Sequence, residues 1–124
     1  MGMQRILLVE DSKLTRDLLV GLLNDGDRRA VVGAVETEEE AFQFLASTPP
    51  DIAIIDVALK AGSGIGLLTR IRTLPEPRPV SIVYTNNYDR TLHELCRRLG
   101  ATAVLSKRGD LTDLLDAVEN NDHD

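Results

Sequence analysis

Residues able to do polar chemistry recur at the ends of apolar runs in this chain. Glu10-Asp11 follow Ile6 to Val9, Asp56 follows Ile52 to Ile55, Thr85 follows Val80 to Tyr84, and Lys107 comes just after Ala101 to Leu105, behind Ser106. Carboxylates gathered in one place repel one another by about 4 kcal/mol per pair at about 4 Å and an effective dielectric near 20, unless a cation sits among them. A hard divalent ion such as Mg²⁺ takes oxygen ligands and keeps several waters, so Asp11, Asp56 and one main-chain carbonyl would form the protein half of its shell. Lys107 would bring a second positive charge. One oxygen of Asp56 then stays free as a nucleophile, and the surrounding charge suits a phosphoryl group with negative oxygens, one of which could accept a hydrogen bond from Thr85.

These residues meet only if the runs that carry them lie side by side. Five short apolar runs, Ile6 to Val9, Ala30 to Val35, Ile52 to Ile55, Val80 to Tyr84 and Ala101 to Leu105, lack strict alternation and read as buried parallel strands. Between and after them, Leu14/Leu18/Leu22, Ala41/Phe42/Leu45, Leu67/Leu68/Ile71, Leu92/Leu95/Cys96/Leu99 and Leu111/Leu114/Leu115/Val118 each trace one face of a helix. Right-handed crossovers turn such an alternation into an open parallel sheet with helices on both faces, in which every strand ends on the same edge. Ligands bind at that edge, where the strand order reverses. Ser12 is placed to cap the first helix, Thr37 with Glu40 forms a capping box, and Pro49-Pro50 stops the second helix.

With 124 residues, 43% hydrophobic and 27% charged, the chain is expected to form one folded domain, over 1–119, followed by a polar tail over 120–124. Fourteen Lys and Arg against twenty Asp and Glu give a net charge of −6, which argues against direct nucleic-acid or membrane binding. A single cysteine, Cys96, cannot close a disulfide within the chain, and no apolar run has the length of a signal peptide or a membrane span. A cytoplasmic protein is expected. Cys96 falls on the apolar face of its helix and is assigned to packing.

The four strand-end positions, together with Gly64 eight residues beyond Asp56, resemble the receiver domain of bacterial two-component response regulators over nearly the whole chain. The likeness is carried by Glu10-Asp11 in LLVEDS, Asp56 in DIAIIDVAL, Thr85 in SIVYTN and Lys107 in AVLSK. The resemblance implies a doubly wound five-stranded parallel sheet, (βα)5 and flavodoxin-like. It also implies that Asp56 takes a phosphoryl group from a phosphohistidine of a sensor histidine kinase or phosphotransfer protein, with Thr85 and Lys107 assisting. Mg²⁺ would be held by Asp11, Asp56 and the Ala58 carbonyl, with Glu10 acting through water. Output would pass to a downstream protein through the face made by the fourth helix, fifth strand and fifth helix. Val104 stands where this family usually has Tyr or Phe, Arg108 where Pro follows the lysine, Lys60 where Pro follows the acceptor, and Asn86 where a small residue follows Thr85.

The expectation is therefore a stand-alone phosphoacceptor switch in a signalling or phosphorelay pathway, not an enzyme with an external substrate. Two rivals are an interaction module that works unphosphorylated and an electron carrier of similar sheet; the latter lacks a phosphate-cradling loop after the first strand. Gly62 to Gly66 fails as a dinucleotide fingerprint because Leu67 holds the third glycine's place, and His93-Glu94 lacks the second histidine of a zinc motif. Arg97, Arg98, Lys107 and Arg108 form a basic cluster, read either as solvated surface or as a dock for an acidic partner. Ala58 and Asn87, two residues beyond Asp56 and Thr85, are expected to flank the water that hydrolyses the acyl phosphate, Asn87 being the better placed to orient it. The Lys107-Arg108 bond is expected to be trans, since cis costs about 3 kcal/mol without proline.

Overall fold

The computed structural model describes residues 2–121. Strands β1 (Gln4–Val9), β2 (Arg29–Val35), β3 (Ile52–Ile55), β4 (Val80–Thr85) and β5 (Ala101–Ser106) alternate with helices α1 (Lys13–Leu23), α2 (Glu38–Ser47), α3 (Gly64–Ile71), α4 (Arg90–Arg98) and α5 (Leu111–Glu119). All strand pairs are parallel and the order is β2-β1-β3-β4-β5. The order reverses at β1 and β3, so the ends of β1 and β3 flank a crevice at the carboxyl edge. Of the tail expected over 120–124, only Asn120 and Asn121 lie within the described residues; His123 lies outside them.

Successive residues of a strand point to opposite faces, which is why one sheet serves two cores. Leu7, Val9, Ala53, Ile55 and Val83 pack with Ala41 and Leu45 of α2, Leu67, Leu68 and Ile71 of α3, and Cys96 of α4. Ile6, Leu8, Ile52, Ile54, Ile82 and Tyr84 pack with Leu19 and Leu23 of α1 and Leu114 and Val118 of α5. Each fully buried Leu or Ile contributes about 1.5–3 kcal/mol, so the central strands are anchored from both sides.

Helix α1 departs from the expected face. Leu14 and Leu18 are 82% and 52% exposed, and the buried pair is Leu19 and Leu23. Leucines at 14, 18, 19, 22 and 23 form two overlapping stripes of helical spacing, and only the docking of the helix on the sheet selects between them. Similarly, Leu95 of α4 is exposed while Cys96 is buried against the sheet.

The helix starts follow local chemistry. Ser12 Oγ accepts the Thr15 N–H at 3.2 Å and Thr37 Oγ1 accepts the Glu40 N–H at 3.1 Å. The Glu40 carboxylate then reaches past Thr37 to the Glu36 N–H at 3.3 Å, a variation on the box. Ser63 caps α3 through the Gly66 N–H at 2.9 Å. At Gly64 a Cβ would lie 2.4 Å from the Asp56 carbonyl oxygen and 2.8 Å from Val57 Cα, so only glycine lets α3 start this close to the end of β3. Among the described residues the one cis peptide is Glu76-Pro77; the Lys107-Arg108 bond is trans.

Candidate functional site

The strand ends bring Glu10, Asp11, Asp56, Thr85 and Lys107 to one crevice of about 520 Å³, lined also by Ser12, Thr15, Val57, Ala58, Asn86 and Asn87. Lys107 Nζ lies 2.6 Å from Glu10 Oε1 and 2.6 Å from Asp56 Oδ2, so one ammonium bridges β1 and β3 from the end of β5. The second oxygen of each carboxylate is also engaged: Asp56 Oδ1 accepts the Ala58 N–H at 3.2 Å and Glu10 Oε2 the Ser12 N–H at 3.1 Å. Asp11 is exposed at the rim. Carboxylate oxygens of Glu10, Asp11 and Asp56 lie within 4.8 Å of one another, close enough to share one cation.

Backbone contacts fix these side chains. The Glu10 N–H donates to the Val35 carbonyl and the Asp56 N–H to the Val9 carbonyl, both at 2.9 Å, which locks the ends of β1 and β3 to their neighbours. Arg16 of α1 donates to the Glu10 carbonyl at 2.9 Å and lies 3.5 Å from Glu36, clamping the turn that carries the acid pair. Thr85 is buried; its Oγ1 accepts the Asn87 N–H at 3.3 Å, and its carbonyl accepts the Lys107 N–H at 2.9 Å. A hydroxyl that accepts one bond still has its own hydrogen to donate into the crevice.

Burial pushes the Glu10 carboxyl above the ordinary glutamate value, and the hydrogen bonds from Lys107 and Ser12 offset this only in part. For Lys107 burial pulls the ammonium downward, but its hydrogen bonds to Asp56 and Glu10, with their charges, outweigh that and hold it above the ordinary lysine value. Lys107 is thus a fixed positive charge. Three carboxylates against one ammonium leave an excess of negative charge at an oxygen-rich site, which suits a hard divalent cation.

Asn87 lines the crevice, but its side-chain oxygen accepts the Asp89 N–H at 2.8 Å and so serves its own loop. Val104 is buried in the core that faces α2, α3 and α4. Arg16, Thr15 and Tyr88 are near the site without having been singled out by sequence. Tyr88 is hydrogen-bonded through its hydroxyl to Ser106 and lies beneath the Arg108 guanidinium, 4.7 Å from it. Thr15 and Arg16 lie two and three residues beyond the first residue of α1, where polar side chains ordinarily read as solvated. A second cleft of about 540 Å³ lies at the opposite, amino edge of the sheet, walled by Pro49, Pro50, Pro75 and Pro77, away from all these groups.

A family model described as the response regulator receiver domain matches residues 6–119. The chain is 35% identical over 107 residues to a protein-glutamate methylesterase/protein-glutamine glutaminase of Syntrophus aciditrophicus, covering 85% of this chain and 30% of that protein. Among solved structures, a two-component response regulator of the LuxR family from an Aurantimonas species superposes with a TM-score of 0.87 at 25% identity, covering 96% of this chain and 84% of that one. The Mn²⁺-bound form of response regulator Rcp1 superposes with a TM-score of 0.74 at 25% identity, over 94% of this chain and 90% of that one. The chain spans about half the length of one curated relative, 56%, and about a third of others. No helix among the described residues is long and apolar enough to cross a membrane.

Proposed function

The chain belongs to the response regulator receiver domain family, and from that premise we propose that it is a phosphoacceptor switch, taking a phosphoryl group onto Asp56 and signalling by binding another protein. The observation that carries this reading is the Lys107 ammonium held 2.6 Å from both Glu10 and Asp56, with Asp11 beside them. A carboxylate oxygen of Asp56 attacks phosphorus, the O–P bond forms as the P–N bond of a phosphohistidine breaks, and the freed imidazole leaves with the bonding pair. Lys107 is placed to follow the negative charge from the carboxylate to the phosphoryl oxygens, and Thr85 to donate its hydroxyl hydrogen to one of them.

Asp11, Asp56 and the Ala58 carbonyl, with Glu10 through water, would hold Mg²⁺, which supplies neutralisation of charge on the transferred group. The three clustered carboxylates and the Mn²⁺-bound relative support that assignment. The donor is a histidine kinase or phosphotransfer protein, and the recipient of the signal is a protein rather than nucleic acid, in keeping with a net charge of −6. The reaction ends on the chain's own Asp56, so no external substrate is turned over. Incubation with acetyl phosphate and Mg²⁺ followed by intact mass spectrometry tests the reading: one added phosphoryl group is expected, and label that persists in Asp56→Asn overturns it.

A further inference from the structure

The β4–α4 and β5–α5 loops meet on the outer side of the crevice, and Tyr88 joins them. Its hydroxyl is hydrogen-bonded to Ser106 Oγ, the Arg108 guanidinium lies 4.7 Å from its ring centre, and the Arg108 N–H donates to the same Ser106 oxygen at 3.0 Å. Ser106 and Arg108 are the two chain neighbours of Lys107. On its own side, Tyr88 follows Asn87, whose N–H is on the Thr85 hydroxyl, and precedes Asp89, which caps α4 through the Thr91 N–H at 2.8 Å. A ring that is 45% exposed therefore links the Thr85 hydroxyl, the backbone that carries Lys107, and the start of α4.

Resting on Asp56 as the phosphoacceptor, we propose that Tyr88 is a positioning residue that straps the β4–α4 loop to Ser106 and Arg108, holds Lys107 over Asp56, and shifts when Asp56 is phosphorylated. The shift has a physical cause. An acyl phosphate sets anionic oxygens where Thr85 Oγ1 and Lys107 Nζ can reach them, so Thr85 turns its free hydroxyl hydrogen toward them while Lys107 trades carboxylate contacts for them, and each is coupled through its own loop to the strap. Val104, apolar and buried, has no group with which to report that exchange. Guanidinium stacking and a hydroxyl bond, both at the surface, can be rearranged at small cost.

The chain has two tyrosines and no tryptophan, so Tyr84→Phe leaves Tyr88 as the only emitter of its kind. In that background, addition of beryllofluoride with Mg²⁺ is expected to change Tyr88 emission, and Asp56→Asn to abolish the change. Tyr88→Ala is expected to slow labelling by acetyl phosphate about tenfold, as a loosened ammonium would, whereas Tyr88→Phe, which keeps the ring beneath Arg108, recovers most of the rate. A wild-type chain that takes no label overturns the phosphoacceptor reading and this inference with it. A chain that is labelled, but in which Tyr88→Ala reacts at the wild-type rate or Tyr88 emission ignores beryllofluoride, overturns this inference alone.

Discussion

On the β1 and β3 side of Asp56 the site is held mostly through main-chain groups, whereas on the β4 and β5 side, beyond the main-chain bond from the Lys107 N–H to the Thr85 carbonyl, the loops are joined by side chains at the surface. The acid pair is fixed by the Val35 carbonyl, the Ser12 N–H and the Arg16 clamp, and the end of β3 by the Val9 carbonyl and the close approach of Gly64. Across the crevice, the loops after Thr85 and Ser106 are joined by the exposed Tyr88 and Arg108. Backbone ladders within a packed sheet have few alternative arrangements, whereas surface stacking and hydroxyl bonds rearrange readily. The half that would grip a metal is thus the rigid half, and the half that would sense a phosphoryl group is the adjustable one.

The most drastic way to break this comparison is at the acceptor itself. Asp56→Asn should eliminate phosphoryl incorporation from acetyl phosphate, read as intact mass. On the rigid side, Asp11→Ala should weaken Mg²⁺ binding by titration calorimetry at least as much as loss of an outer-shell partner does, about 10- to 100-fold. Unchanged affinity would move the metal away from the acid pair.

Gly64→Ala tests whether the rigid half is packed as tightly as the 2.4 Å approach to the Asp56 carbonyl implies. Overpacking of this kind costs about 1–3 kcal/mol, and the denaturation midpoint should fall accordingly. Gly21 of α1 is the matched control, because a Cβ there meets nothing within 4 Å. Gly21→Ala should raise stability by about 0.4–1 kcal/mol.

Glu10 offers a smaller effect with a definite sign. Its carboxyl is held above the ordinary value by burial, so the folded, metal-free protein binds this proton more tightly than the unfolded chain does. Its contribution to stability is therefore fully present below the unfolded value and is lost as pH rises through the folded one. Thermal melts of the metal-free protein across this window should show a downward slope with pH that Glu10→Gln flattens. The smallest effect is expected on the adjustable side: because the Asn87 side-chain oxygen serves Asp89, Asn87→Ala should change the phosphoryl half-life by no more than about twofold. A large change would mean that this loop turns inward once Asp56 is phosphorylated.

The βα alternation and the placement of Glu10, Asp11, Asp56, Thr85 and Lys107 at strand ends were legible in the sequence, because parallel strands buried on both faces read as apolar runs and each run's last residues lie on one edge. The face of α1 was not legible: five leucines satisfy helical spacing in two ways, and only contact with the sheet buries Leu19 and Leu23 while exposing Leu14 and Leu18. Nor was Tyr88, whose partners Ser106 and Arg108 lie 18 and 20 residues further along the chain, beyond any local pattern. The sequence by itself determined the fold class and the chemistry available at the carboxyl edge, since both follow from local periodicity and residue type. Only the tertiary structure decided which oxygens Lys107 bridges, why residue 64 is glycine, and which surface residues brace the site, because those depend on distances between elements that no spacing along the chain encodes.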